Sequence, residues 1–427
     1  MTGAETERIE PAVARGGVSL IVGATAIAGV AGYVITWWVA RRIGFASYAV
    51  FASFWAFLYL VVGSLAGIQQ EVTRATRPVA PGSNAPDHRA RNFGIVAAAI
   101  VFALVVATAP LWAIAVFPRA GWGLVWPLAV GAASYVLVAV LSGMLYGTSR
   151  WLPLAWMIVI DPVLRLVALI VVLLYTTEII ALAWVVVLPL PLMLVVVIAV
   201  IRRQVFGRSS IDVGYRGLTW NVLRIVIAAA GLSLMVSGFP LIFGITTRHD
   251  PAATVGLLIL AVTLTRAPLI VTVLALQSLL IVRFRDHART FWRTFFALQG
   301  LIMALSVVLA ALGWLVGPAA FGLLFGSEAV PEGWFIAVLV ASSALVAAMS
   351  VTASAVLSRS QHFVYSLGWV VAAVITVLSL MTPLDLIART VLALIAGPLA
   401  GLFVHSVGLA TSERARRAGI LRNRPRA

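Results

Sequence analysis

The stretch FGIVAAAIVFALVVATAPLWAIAVF, residues 93–117, carries no charged side chain. A helix needs roughly 20 apolar residues to cross the hydrocarbon core of a bilayer, and this segment supplies them. Outward from it in both directions the pattern recurs, broken by short polar turns. Twelve spans result, near 18–40, 47–68, 93–117, 124–147, 152–175, 179–201, 221–246, 254–281, 294–317, 334–357, 363–383 and 386–410. The composition agrees: of 427 residues 62% are hydrophobic and 10% charged, with mean hydropathy +1.08. Soluble chains hold roughly 45–50% apolar and about 25% charged residues. The expected fold class is therefore an all-α polytopic membrane protein with about twelve transmembrane helices. The leader MTGAETERIE is not basic and the first apolar stretch exceeds a signal-peptide core, so the first span reads as a membrane helix.

Orientation follows from arginine, because cytoplasmic loops concentrate it. With the N-terminus in the cytoplasm, the inner segments hold 22 arginines and the outer loops only Arg41, Arg42, Arg119 and Arg248. Both termini are then cytoplasmic. The basic segment 202–220 divides the chain into an N-terminal lobe at 1–201 and a C-terminal lobe at 221–410, followed by a basic tail at 411–427. Six spans is an even number, so both lobes enter the membrane in the same sense. That makes them parallel repeats, related by a pseudo-two-fold axis along the membrane normal. The longest outer loop, 317–333, is too short for a soluble domain. The segment 74–92 is rich in Pro, Gly, Ser and Asn and reads as a cytoplasmic loop.

Absences narrow the function. There is no cysteine, so no disulfide, thiolate nucleophile or thiolate-ligated metal is expected. There is no lysine either: all 30 basic residues are arginine, which removes P-loop ATPase chemistry. The five histidines lie far apart, without the spacing of a zinc site. Neither enzyme, cofactor nor metal is expected. A net charge of +16 would suggest nucleic acid in a soluble protein, but here the positive-inside rule accounts for it, and no nucleic-acid partner is expected.

Charges at membrane depth are the informative residues, since they are costly there and usually face a cavity. Arg266, in VTLTRAPLIV, has apolar or small residues on both sides and precedes Pro268. It reads either as an anion-binding group in a central cavity, its fork matching phosphate oxygens, or as an arginine paired to a neighbouring helix. Asp161 and Arg165 stand four apart around Pro162 and share a helix face. They read as a self-neutralising pair or as an ion-coupling site. Arg224, one turn into the seventh span, is a candidate substrate contact near the cytoplasmic face, and Arg41 and Arg42 are candidates for an anion exit site. Arg389 lies near the outer end of the twelfth span, where it reads as a snorkelling side chain. Spans one and seven are rich in helix breakers: Gly23, Gly29 and Gly32, then Gly231, Gly238, Pro240 and Gly244. Matching interrupted segments mark moving, substrate-facing helices. The pairs Gly63/Gly67 and Gly143/Gly147 have helix-packing spacing but are weak signals in so small-residue-rich a chain.

Residues 17–77, with Ala40, Arg41, Ile43, Gly44, Tyr48 and Phe51, resemble the opening of polysaccharide flippases of the multidrug/oligosaccharidyl-lipid/polysaccharide exporter superfamily. The segments LVGPAAFGLLFG (315–326), re-entrant in appearance, and LYGTSRWLPLAWMIVIDPVLRLVALIVVLLY (145–175) are similar to further parts of such proteins. The resemblance implies two six-helix lobes, a cationic cavity and alternating access in the cytoplasmic membrane of a bacterium. It implies a polyprenyl-diphosphate-linked oligosaccharide as substrate, with membrane lipids and polysaccharide polymerase or glycosyltransferases as partners. Related peptidoglycan-precursor flippases carry a cavity arginine on the eighth span, the span that holds Arg266. Two other readings stand beside it: a multidrug or small-molecule exporter, and a non-transporting membrane partner of polysaccharide assembly.

Overall fold

The computed structural model describes residues 3–78, 89–118, 120–205, 209–286, 288–326 and 330–422. Among them, helices account for nearly everything. They are α1 (Gly3–Ala75), α2 (Arg89–Val116), α3 (Trp122–Gly147), α4 (Trp151–Val172), α5 (Ile179–Val187), α6 (Pro189–Val205) and α7 (Tyr215–Ser237). Then follow α8 (Phe239–Thr246), α9 (Ala252–Ala275), α10 (Gln277–Asp286), α11 (Phe291–Phe325), α12 (Gly333–Ser358), α13 (His362–Leu380) and α14 (Leu386–Arg422). Ten helical segments are long and apolar enough to cross a membrane. The chain is a multi-pass membrane protein of the expected all-α class.

The ten become twelve when α1 is divided and α9 is counted. Within the 73 residues of α1 a single residue, Gly44, leaves helical geometry, at φ 74° and ψ 162°. Only glycine adopts that backbone without a Cβ penalty, so the turn expected between spans one and two contracts to a kink. Two spans read as continuous, the sixth and the eighth, are interrupted instead, and so is the seventh, whose breakers the sequence marks. The sixth breaks at Leu188 ahead of Pro189, the seventh at Gly238 ahead of Pro240, and the eighth at Leu276. A proline at a helix start loses nothing, because its missing N–H would have no partner there. Conversely, Pro162 and Pro318 sit inside α4 and α11, and α9 runs on past Pro268. Neither Pro162 nor Pro268 ends its helix. Because α11 extends to Phe325, the 315–326 segment is helical rather than re-entrant and the outer loop is shorter than expected.

Two three-residue strands were not anticipated. β1 (Thr76–Pro78) and β2 (Ser209–Ile211) pair antiparallel, with Thr76 opposite Ile211, and join the ends of the segments 69–92 and 202–220. The larger part of the loop expected at 74–92 lies outside the described residues, as do Arg119 and residues 423–427.

The chain divides into two compact units, Met1–Ser233 and Leu234–Ala427, and the boundary falls near the end of α7. In the first unit α3 is the central helix, with 72% of its most apolar window buried, while α2 is only 17% buried. In the second unit α12 is central at 78%, and α11 is again 17% buried. These are the fourth and third spans of one half and the tenth and ninth of the other. The same burial profile thus recurs six spans apart, as parallel repeats require.

Small residues set the packing. Without a hydrophobic drive between helices in lipid, close backbone approach supplies the contact energy. A Cβ on Gly63 would overlap Ser233, and one on Gly67 would meet the Val226 backbone at 2.9 Å, so both glycines seat α1 against α7. Gly143 and Gly147 of α3 likewise admit Val72 of α1 and Thr76 of β1. The two glycine pairs are helix contacts, and they place α7 with the first unit.

Candidate functional site

Arg266 projects from α9 and is 6% exposed. Leu234, Met235, Phe239, Ile242, Thr376 and Leu394 are among the residues that enclose a small cavity beside it. Phe239 and Ile242 belong to α8, Thr376 to α13 and Leu394 to α14. With about 10 Å³ open to water-sized groups, the cavity has room for roughly one water molecule. Thr376 donates its hydroxyl to Ala372 O at 2.9 Å, within its own helix. No acidic residue lines the cavity, and Nε of Arg266 has no hydrogen-bond partner among the described residues. A buried guanidinium without a counter-charge among the described lining residues is expensive.

Asp161 and Arg165 form a different kind of site. Arg165 is 3% exposed, and its guanidinium is engaged on three sides. Nη2 donates to Asp161 Oδ1 at 2.7 Å, Nε to Val186 O at 2.8 Å and Nη1 to the Tyr59 hydroxyl at 2.5 Å. The cation also lies 5.6 Å from the Trp55 ring and 5.8 Å from Tyr59. Those two rings stack 5.5 Å apart, 3° from parallel. Every nitrogen of Arg165 therefore has a partner, as a buried charge requires. The geometry is that of the self-neutralising pair, fastening α4 to α1 and to the end of α5.

Arg224 is exposed, with its guanidinium carbon 4.8 Å from the Trp220 ring centroid. Beside it opens a groove of about 880 Å³ lined by Tyr215, Arg216, Gly217, Thr219, Trp220 and Leu223. Arg224 and Arg266 belong to different units, while Arg41 and Arg42 adjoin the Gly44 kink and are exposed. Arg42 Nη2 donates to Leu173 O at 3.1 Å, capping the C-terminus of α4, where a cation favours the helix dipole. Arg389 pairs with Asp250 Oδ2 and reaches Thr246 O at 3.5 Å, so it is a structural partner rather than a snorkelling side chain.

Two buried polar groups escaped sequence reasoning. Glu71, 2% exposed, accepts from Arg74 Nη2 at 2.6 Å, Arg74 Nε at 2.8 Å and Asn221 Nδ2 at 2.8 Å, linking α1 to α7. The i,i+3 spacing of Glu71 and Arg74 was a visible signal, but the polar run QQEVTR ended the second span too early. His405, fully buried in α14, contacts Tyr365 O through Nε2 at 3.1 Å and stacks on the Tyr365 ring. A Cβ on Gly368 would overlap its ring, so Gly368 makes the space for His405. Among the described residues, no three His, Cys, Asp or Glu side chains cluster as metal ligands would.

The chain is 33% identical over 410 residues to the uncharacterized protein Mb3654 of Mycobacterium bovis, covering 94% of each. It is equally similar, over the same share of each chain, to the uncharacterized protein MT3732 of Mycobacterium tuberculosis. The chain belongs to this mycobacterial family. No family model matches it. Among solved structures, members of this fold include an inward-facing multidrug resistance MATE transporter of the MOP superfamily, with TM-score 0.70, 13% identity and coverage of 96% of this chain and 100% of that one. The lipid II flippase MurJ, in an inward closed conformation, aligns with TM-score 0.64 and 13% identity over 90% of this chain and 87% of that one. A MOP superfamily transporter from Pyrococcus furiosus, described as having a binding pocket of reverse polarity, gives 0.59 and 13% over 94% and 96%. At such identities the likeness establishes the fold alone.

Proposed function

We propose that this protein carries a polyprenyl-diphosphate-linked oligosaccharide from the inner to the outer leaflet of a bacterial cytoplasmic membrane. It does so by alternating access between six-span lobes at 1–201 and 221–410, joined by the linker 202–220. The observation that carries this reading is the buried Arg266, with no acidic partner among the described residues. A diphosphate supplies the charge that Arg266 lacks, and charge-assisted, forked hydrogen bonds are the strong ones. The fold shared with a lipid II flippase supports a lipid-linked cargo. An inside-negative potential favours outward movement of the anion by ~2.3 kcal/mol per charge per 100 mV.

The present cavity is too small for a diphosphate, so loading requires α8, α13 and α14 to separate around Arg266. The break at Gly238, between α7 and α8, is a natural place for that movement to bend. Arg224 and Arg216, flanking an exposed aromatic groove, would meet the lipid phosphate first, with both termini and the tail 411–427 on the same cytoplasmic side. In this reading Arg41 and Arg42 remain exit contacts, and Asp161–Arg165 serves the structure.

The exporter reading is weaker for a specific reason. A cationic drug requires an available intramembrane acid, and Asp161 is engaged by Arg165. A non-transporting partner of polysaccharide assembly would have no use for a buried cation with no acid among the described residues lining its cavity. Depleting the protein in its native cells and analysing lipids by mass spectrometry tests the proposal. Accumulation of a polyprenyl-linked glycan in the cytoplasmic leaflet is expected. Unchanged lipids, with new sensitivity to small toxic compounds, would favour the exporter.

A further inference from the structure

A second basic pocket lies where α12 meets α13. It is open, has a volume of about 430 Å³, and is lined by Arg285, Phe291, Ser358, Arg359, Ser360 and Ser412. We propose that this pocket binds the phosphate of an anionic membrane lipid at the cytoplasmic interface. It shares no residue with the Arg266 cavity and does not depend on the transport proposal.

The pocket is built around Arg359. Ser360 takes the left-handed backbone, at φ 59°, and α12 closes in a tight turn: Ser360 N donates to Leu357 O at 2.9 Å and Gln361 N to Val356 O at 3.3 Å. That turn lays the Arg359 guanidinium 4.1 Å from the Phe291 ring centroid and 5.6 Å from Trp292. Nη1 donates to Ser412 Oγ at 3.3 Å. The guanidinium thus lies against two aromatic rings, and its planar fork of donors is the kind that matches phosphate oxygens. Arg285, on the far wall, donates Nε to the adjacent exposed Asp286 at 2.8 Å. The segment 282–293 nevertheless holds four arginines against that single acid, so the local field favours an anion.

The aromatic surroundings select a lipid over a soluble anion. Trp292 and exposed Phe296 stack 5.7 Å apart on α11, the helix with the least buried window in this unit. Aromatic side chains beside basic ones mark the membrane–water interface. The arginine distribution assigns this end to the cytoplasm, where anionic headgroups attract basic residues by about 1 kcal/mol each. The headgroup phosphate would sit between Arg285 and Arg359 with the Ser360 hydroxyl at the rim, and the acyl chains would run along Trp292 and Phe296.

The test uses the full-length protein in phosphatidylcholine nanodiscs, exposed to phosphatidylglycerol or to further phosphatidylcholine, with bound lipid counted by native mass spectrometry. Wild type should retain phosphatidylglycerol preferentially, and Arg285→Gln/Arg359→Gln should weaken retention by roughly tenfold or more, given the strength of hydrogen bonds to charged groups. Arg283→Gln/Arg293→Gln, which removes equal charge nearby, should retain it. Equal loss in both double variants would reduce the effect to general charge and overturn the site, as would no preference for phosphatidylglycerol. Retention of inorganic phosphate without the lipid would overturn the lipid assignment. Should the Arg359 variant not fold, Arg285→Gln alone, at an exposed position, decides the matter by the same readout.

Discussion

Arg266→Met is expected to make the protein more stable and to slow transport sharply. The arginine is buried in an apolar wall with no acid beside it, so its removal relieves a desolvation penalty. Replacing buried charge by a well-packed apolar side chain is often stabilising, by up to about 1–4 kcal/mol. A diphosphate would then lose its forked donor, and flipping should fall roughly 10- to 100-fold, the range for hydrogen bonds to a charged group. Arg266→Lys keeps the charge without the fork and should be intermediate. Thermal unfolding in detergent and a flipping assay on the same preparations separate the readings. A structural arginine gives the reverse pattern: lower stability, with transport per folded molecule unchanged.

The second large effect concerns Arg165. Arg165→Gln leaves Asp161 buried without its counter-charge and removes the donors to Tyr59 and Val186. Removing one partner of a buried pair destabilises by about 3–5 kcal/mol, so little folded protein is expected. Replacing both residues, as Asp161→Leu/Arg165→Met, should recover most of the folded yield and retain transport. Folding with lost transport in that double variant would instead make Asp161 a coupling site. Size-exclusion profiles followed by transport per folded molecule supply the comparison.

These two arginines show what sequence conveys and what it withholds. Both could be placed at membrane depth from hydropathy alone, because a charge within an apolar run stands out. Their opposite characters could not. Arg165 is engaged by Tyr59, 106 residues earlier, and by a carbonyl 21 residues later, contacts that no local spacing encodes. The i,i+4 pairing with Asp161 was legible, since helix geometry fixes it. For Arg266 the deciding fact is that α8, α13 and α14 bring no acid to its cavity, which only the tertiary structure reveals.

The architecture follows the same division. Apolar length gave the spans, but it does not mark the single-residue kink at Gly44 or the break at Leu276. Glycine spacing hinted at contacts, but not that Gly63 and Gly67 would face α7 rather than another span. The β1–β2 pair joins residues more than a hundred positions apart, beyond any periodicity. Glu71 was lost because a polar helix end looks like a loop until Asn221 is found against it.

The central claim is that a lipid-linked diphosphate crosses the membrane through this protein. Its most direct test is a leaflet-protection assay in proteoliposomes containing purified protein and a labelled polyprenyl-diphosphate glycan, with a membrane-impermeant enzyme that cleaves exposed glycan. Protein-dependent exchange should expose essentially all the label in wild-type vesicles, while vesicles with Arg266→Met should reach that exposure roughly 10- to 100-fold more slowly, and protein-free vesicles should keep about half protected. Half-protected label in wild-type vesicles, with correctly folded protein and an applied membrane potential, would contradict the account.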